Sequence, residues 1–271
     1  MTETPSVSCL VATDLSARSD RALIRAFRLS GRTGGRVTVL HVVEEDYPAH
    51  IANTLAMEAE GALKAQLRAM PEAEGVPWDV QVVRGHDYQA IIDAADRHEA
   101  DLLLMGGRRT PKMRDLFLAS TAQRVVRQAT VPVLVVKRPY RGEYRTALAA
   151  VDGSPHSRAG VSFVLGLFPE LTVTAFYASD DPAGGGGDAE LTSQEEQKVR
   201  RPLDSVPGFD RHGDFRAVRG EAGEVAGVLN EAIGPDLMVC GTSKSGRSFF
   251  LGNDLPGWVM VNLEQDLLVM P

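Results

Sequence analysis

Val83-Arg84-Gly85 and, 135 residues further on, Val218-Arg219-Gly220 each close a strand-like run. Each is followed by a helical stretch and then by an acidic-apolar run at the same offset, Asp101-Leu102-Leu103-Leu104-Met105-Gly106 and Asp236-Leu237-Met238-Val239-Cys240-Gly241. Other landmarks repeat in the same order. Val11-Ala12-Thr13-Asp14-Leu15-Ser16 answers Ala150-Val151-Asp152-Gly153-Ser154, and the stretch from Val37 to Glu44 answers that from Val173 to Asp180. A period this long is a duplicated domain, because solenoid units typically run about 20–50 residues. The expected domains are residues 1–140 and 141–271, divided in the polar, turn-rich Arg138-Pro139-Tyr140-Arg141-Gly142-Glu143-Tyr144.

Working outward, the first half alternates strands and helices. Strands are expected at Val7 to Thr13, Arg36 to Val43, Asp79 to Arg84, Asp101 to Met105 and Val133 to Lys137. The helix from Ala17 sets Leu23, Ala26, Phe27 and Ser30 on one stripe and stops at Gly34-Gly35. Further helices are expected within His50 to Met70, from Asp87 to His98 and from Ser120. The second half repeats the order, with strands at Thr146 to Val151, Leu171 to Tyr177, Asp214 to Arg219, Asp236 to Cys240 and Asp266 to Met270. Its first helix has Ser154 as cap and Pro155 in the first helical position. Near-continuous Val/Leu strands read as covered on both faces, so the expected class is α/β: two tandem, doubly wound, five-stranded parallel sheets. The Gly184-Gly185-Gly186-Gly187 run lies far from any strand-to-helix phosphate turn and reads as a linker.

Composition narrows the function classes. The 271 residues suit two domains that each bury a core, and 44% apolar with 24% charged residues is ordinary for a soluble globular protein. No apolar run approaches the roughly 18 residues of a membrane helix, and the first residues lack a signal-peptide pattern, so a cytoplasmic protein without membrane contact is expected. Cys9 and Cys240 fall in buried strands of different halves and read as core residues, with no partner cluster for a metal. Residues 1–140 carry 18 Lys/Arg against 17 Asp/Glu and residues 141–271 carry 11 against 19, so the net charge of -7 belongs to the second half. Neither half has the basic face of a nucleic-acid binder.

In an open α/β sheet, ligands sit beyond the carboxyl ends of the strands where strand order reverses. The candidates there are Asp14 and Asp152, after the first strand of each half, and the loops following Gly106 and Gly241. The first loop carries Arg108, Arg109, Lys112 and Arg114 and leads to a helix opening Ser120-Thr121. Free N–H groups at that helix start, a capping Ser and four cations suit an anion, and a capped surface loop suits the same residues equally. His41 reads as a satisfied core or interface histidine, and His156 and Ser157 as first-turn helix residues. No G-x-S-x-G elbow, G-x-G-x-x-G turn or G-x4-G-K-[ST] loop is present, which argues against serine hydrolases, dinucleotide enzymes and P-loop ATPases.

The first strand ending in Asp14, the Leu40-His41-Val42-Val43-Glu44 strand, the Asp101 to Gly106 strand and the ending Val131 to Lys137 together resemble the universal stress protein family, in its tandem form. The resemblance implies the adenine nucleotide alpha hydrolase-like fold and two halves packed as an internal pseudo-dimer through their fifth strands, with room for two chains to associate. In the family's ATP-binding members a G-x2-G-x9-G-[S/T] loop holds ribose and phosphates, the Asp recognises adenine, and second-strand backbone flanks the base. Carried over, this implies adenine contacts at Asp14 and Val42 and ribose-phosphate contacts at Gly106, Ser120 and Thr121, with Arg109 at the second glycine position and Ala119 at the third. In the second half Asp152 and Gly241 match, Lys244 takes the second glycine position, Gly252 comes two residues early, and Asn253 replaces the Ser/Thr.

The function this implies is a non-enzymatic stress-response protein acting through an as yet unknown protein partner. It would bind ATP or another adenine nucleotide weakly in the first half, with Mg2+ if a triphosphate is taken, and the second site would be degenerate. The rivals are a slow ATPase or other nucleotide-using enzyme on the same site, and a nucleotide-free scaffold.

Overall fold

The structure, a computed structural model, describes residues 6–107, 120–179, 193–242 and 255–271. Its residues fall into two units, Met1–Arg141 and Gly142–Pro271.

In the first unit the fully buried runs become the middle of a sheet. β1 (Cys9–Thr13) lies between β2 (Val37–Glu44) and β4 (Leu102–Gly106), with Leu10 opposite Thr38 on one side and Leu103 on the other. β3 (Trp78–Gly85) pairs outside β2, and β5 (Val133–Val136) pairs with β4. All four pairings are parallel, in the order β3-β2-β1-β4-β5. β3 is only half buried and places Asp79, Gln81 and Arg84 along the outer edge, the polar content that discourages a further strand from adding there.

Helices cover both faces. α1 (Ala17–Thr33) buries Ala22, Leu23, Ala26, Phe27, Leu29 and Ser30, the stripe its sequence periodicity demands, and Gly34 ends it in the left-handed region. α2 (Ala49–Ala69) buries Ala52, Ala59, Leu63 and Leu67, and α3 (Asp87–Arg97) buries Ile91, Ile92, Ala94 and Ala95. α4 (Thr121–Gln128) buries Val125 and Val126.

The second unit repeats the design. β6 (Thr146–Ala150), β7 (Thr172–Ser179), β8 (Gly213–Arg219), β9 (Leu237–Gly241) and β10 (Asp266–Met270) run parallel in the order β10-β9-β6-β7-β8. Its helices are α5 (Pro155–Leu167), α6 (Ser193–Asp204), α7 (Phe209–His212), α8 (Ala222–Ile233) and α9 (Leu255–Asn262). Each unit is therefore an α/β layer with a parallel sheet, and the expected strands and helices are found within about two residues of their sequence limits. The single turn α7 is an addition that the sequence pattern did not indicate. The first strand starts at Cys9 rather than Val7, because Ser8 turns its carbonyl to the Asp101 amide at 2.9 Å and donates its own N–H to the Asp101 carboxylate at 2.8 Å.

Cys9 and Cys240 are both free and buried. Burial pushes the Cys9 thiol up to about 12, with Asp101 acting in the same sense and a Ser30 hydrogen bond opposing, so it is an inert core residue at neutral pH. Among the described residues no helix is long and apolar enough to cross a membrane, and no cluster of His, Cys, Asp and Glu has the composition to hold a metal ion.

Candidate functional site

The winding direction reverses between β1 and β4 in the first unit and between β6 and β9 in the second, which puts a crevice at the carboxyl ends of these pairs. Asp14 follows β1 directly, Gly106 is the last residue of β4, and Val42 lies one residue past His41, the partner of Thr13 at the end of the β1–β2 ladder. The sheet thus brings Asp14, Val42 and Gly106 to one edge of one crevice.

The turn after β1 is held by short polar side chains. Asp14 Oδ1 accepts from the Ser16 amide at 3.1 Å and from the Ser16 hydroxyl at 2.5 Å, and the Ser16 side chain caps α1 by accepting from the Arg18 amide at 3.3 Å. Ser19 Oγ donates to the Ser16 carbonyl at 2.8 Å, so the Thr13 hydroxyl donates to Ser19 Oγ, also at 2.8 Å. Thr13 Oγ1 in turn accepts from the Leu15 amide at 3.1 Å. Burial works to raise the Asp14 carboxyl, but the Ser16 hydroxyl and amide, Ser19 and Arg18 outweigh it and hold the group below its ordinary value. Asp14 is therefore a fixed carboxylate at neutral pH. Its second oxygen, Oδ2, forms an ion pair with exposed Arg18 at 3.3 Å.

The second unit builds the same turn. Asp152 Oδ1 accepts from the Ser154 amide at 2.9 Å, Ser154 Oγ accepts from the Ser157 amide at 3.2 Å as cap of α5, and Ser157 Oγ donates to the Ser154 carbonyl at 3.1 Å. Burial again opposes ionisation, and the Ser154 hydroxyl and amide with Ser157 again overcome it, so Asp152 too sits below its ordinary value. His41 and His156 both prove to be satisfied. His41 Nδ1 lies 2.9 Å from the Thr13 carbonyl, and His156, in the first turn of α5, places Nδ1 2.5 Å from the Pro271 carbonyl.

The Val42 backbone faces the crevice by alternation. The Val151 amide donates to the Phe176 carbonyl at 2.9 Å, and Phe176 occupies in β7 the place of Leu40 in β2. Even-numbered residues of β2 therefore turn their amides and carbonyls toward β1; the Thr13–His41 pairing commits the Val42 amide to the Thr13 carbonyl, and the Val42 carbonyl comes after β1 has ended.

Gly106 and Gly241 have a packing task of their own. A Cβ on Gly106 would lie 2.7 Å from the Arg18 carbonyl carbon and oxygen, and one on Gly241 would lie 3.0 Å from the Ser157 amide nitrogen. In each unit the glycine ending the fourth strand lets the first turn of the first helix cross directly over it. Ser120 caps α4 in a capping box: its hydroxyl accepts from the Gln123 amide at 3.3 Å and its amide donates to Gln123 Oε1 at 2.8 Å. The Thr121 hydroxyl donates to Asp87 Oδ2 at the start of α3. In this first turn the Gln123 and Arg124 amides are taken by Ser120, and the Asp87 carboxylate lies beside Thr121. Arg109, Ala119, Lys244, Gly252 and Asn253 lie outside the described residues, as does the Gly184 to Gly187 run.

Three residues of the first site were not singled out from the sequence. Arg18 had a legible signal, since it stands four residues after Asp14 at helical ion-pair spacing. Ser19 is visible only once the turn is folded, and Asp87 only once α3 and α4 are neighbours.

The profile of the universal stress protein family matches residues 8–137. A universal stress protein of Thermus aquaticus, from the QAH/OAS sulfhydrylase 3' region, is 35% identical over 134 residues, covering 47% of this chain and 96% of its own. The universal stress protein MJ0531 of Methanocaldococcus jannaschii is 30% identical over 139 residues, covering 48% of this chain and 81% of its own. The chain belongs to the universal stress protein family. A solved universal stress protein structure from Archaeoglobus fulgidus shares the fold with a TM-score of 0.78 at 17% identity, covering 98% of this chain and 97% of the other. Family membership makes this universal stress protein a stress-response protein, and the family profile falls within the first unit.

Proposed function

We propose that the first unit binds an adenine nucleotide, ATP or a close relative, at the β1–β4 crevice without turning it over, and that a protein partner in the cytoplasm reads the occupied state. The observation that carries this reading is Asp14, a carboxylate kept ionised by its turn, with one oxygen engaged by Ser16 and the other in an exposed ion pair with Arg18. An exposed ion pair contributes under about 1 kcal/mol, so an exocyclic amine N–H can replace Arg18 at Oδ2 with little loss. The Val42 carbonyl supplies an acceptor alongside, which an exocyclic amine N–H of adenine complements. Gly106, Ser120 and Thr121 stand at the phosphate end, with Arg109 as a further cation and Mg2+ accompanying a triphosphate. In the second unit Lys244, the shortened loop, Asn253 and the acidic charge balance support a site that no longer takes ATP.

Calorimetric titration of ATP into the wild type, Asp14→Ala and Arg109→Gly tests this. Binding by the wild type that Asp14→Ala abolishes is the expected result. Tighter binding by Arg109→Gly identifies the arginine as an obstruction, and weaker binding identifies it as a phosphate contact. No binding by either wild type or Arg109→Gly leaves the nucleotide-free scaffold. Phosphate release above a no-protein control, lost in Asp14→Ala, would replace this reading with a slow ATPase.

The two units are further proposed to pair through β5 and β10 as an internal pseudo-dimer. Support comes from the apolar content of Val133 to Val136 and Leu267 to Met270, more than an unprotected edge strand carries. Solution scattering that shows two separated bodies would overturn it.

A further inference from the structure

The residue after Asp14 is strained and exposed at once. Leu15 has φ 60°, in the left-handed region that costs a non-glycine residue roughly 1 kcal/mol or more, and the residue is 44% exposed. Its counterpart in the second unit is Gly153, with φ 78°, where the same conformation costs nothing of the kind. The turn itself explains the backbone angle in both units, since the Ser16 and Ser154 amides must come round to Asp14 and Asp152. It does not explain the leucine, because glycine satisfies the same hydrogen bonds. Room for a single methyl group does not explain the difference either. A Cβ on Gly153 would stand at ordinary contact, 3.6 Å, from Lys198 O and Val199 Cα of α6. In the second unit, then, α6 backbone already lines the space into which a side chain would project, whereas in the first an apolar side chain projects and is left partly open to water.

We propose that Leu15 is a ligand contact of the first unit's site, its side chain packing on the flat face of the adenine base whose amine edge Asp14 holds. The inference rests on the nucleotide reading above and deepens it. Consecutive Cα atoms are about 3.8 Å apart, so a planar base bound at Asp14 lies within reach of the next side chain. Strained backbone persists where the surrounding turn over-determines it and clusters at ligand clamps, and a heteroaromatic face is the apolar surface that a base presents beside its hydrogen-bonding edge. Glycine at the equivalent position of the second unit fits a site that has lost its ligand.

The test is calorimetry on the full chain with two probes, ATP and adenosine, against wild type, Leu15→Gly and Leu15→Met. Leu15→Gly is expected to weaken both probes by the same factor, roughly tenfold for the lost apolar contact, while Leu15→Met retains affinity. Misfolding does not confound the result, since glycine suits this φ and the unfolding midpoint of Leu15→Gly is expected to match or exceed the wild type. Unchanged affinity for both probes in Leu15→Gly, with Asp14→Ala still abolishing binding, overturns the Leu15 contact and leaves the nucleotide site standing. Weakened ATP with unchanged adenosine moves Leu15 to the phosphate end and likewise overturns the base contact. Failure of the wild type to bind either probe overturns both proposals together.

Discussion

The turn after β1 and the turn after β6 are nearly the same object. Each has an aspartate accepting from a serine amide two residues on, a serine capping the helix, a further serine donating back to the carbonyl of the capping residue, and a left-handed residue in between. Both aspartates are held below their ordinary value by the same kinds of partner. The sequences around them have nevertheless diverged, to Thr13-Asp14-Leu15-Ser16 in one and Val151-Asp152-Gly153-Ser154 in the other. The hydrogen-bonded skeleton of such a turn therefore follows from helix capping, and an ionised aspartate there is not by itself a mark of ligand binding. What separates the two sites is the residue after the aspartate and what lies over it.

The largest effect that can break this equivalence is steric. Gly106→Ala drives a methyl group into Arg18 backbone at 2.7 Å, where no flexible side chain can yield, whereas at Gly241 the nearest atom is 3.0 Å away and a small shift of α5 suffices. Gly106→Ala is expected to cost about 2–3 kcal/mol and Gly241→Ala about 1 kcal/mol, read as shifts in the urea unfolding midpoints. Equal losses would mean that the two helix-over-strand crossings are equally tight.

The next effect separates the carboxylates by function. Asp14→Ala removes a charge-assisted hydrogen bond to the ligand, so ATP affinity should fall by a factor of roughly 30, or about 2 kcal/mol, which takes a weakly held nucleotide below calorimetric detection. Asp152→Ala should change it by less than about twofold, the spread expected of a substitution outside the binding site. Equal losses in the two variants would show that the second site binds as the first does, and the divergence of its loop would then be without consequence.

Much of this was readable from residue order, and the reasons are physical. The strands of both units announce themselves because central strands are covered on both faces, so Leu102-Leu103-Leu104-Met105 and Leu237-Met238-Val239-Cys240 have no alternation to disguise them. Ser16, Ser120 and Ser154 are legible caps because a short hydroxyl before a helical period has few other tasks. Long-range approach is not legible. Nothing in Met105-Gly106-Gly107 says that α1 crosses over the first glycine, and nothing in Thr121 or Asp87 says that they meet. Leu15 is hidden for a different reason, since leucine is a residue type that argues against the conformation it adopts. Phe209-Asp210-Arg211-His212 is too short to show a helical period, so its single turn emerges only in the fold.

The smallest expected effect is the sharpest check on the likeness of the two turns, because it compares like with like over one pH range. A carboxyl whose folded value is depressed contributes stability that is fully present above its unfolded value, near 3.8 for both aspartates, and is lost as pH falls through the lower folded value. Asp14→Asn and Asp152→Asn keep an oxygen that can accept from the Ser16 or Ser154 amide and remove only the charge. Each variant should therefore be slightly less stable than wild type at pH 6, and the gap should close as pH drops below about 4, where wild type loses the same contribution by protonation. Asp14 shares its charge with exposed Arg18, and solvent screens such a pair, so the gap should stay below about 1 kcal/mol. Urea titrations of both variants and wild type between pH 6 and pH 3 measure it. Two gaps that close in parallel would confirm one turn built twice. A gap at Asp14 that persists to low pH would mean that its carboxylate oxygens hold the turn by geometry that an amide cannot copy, and that the two turns differ in the very bonds they share on inspection.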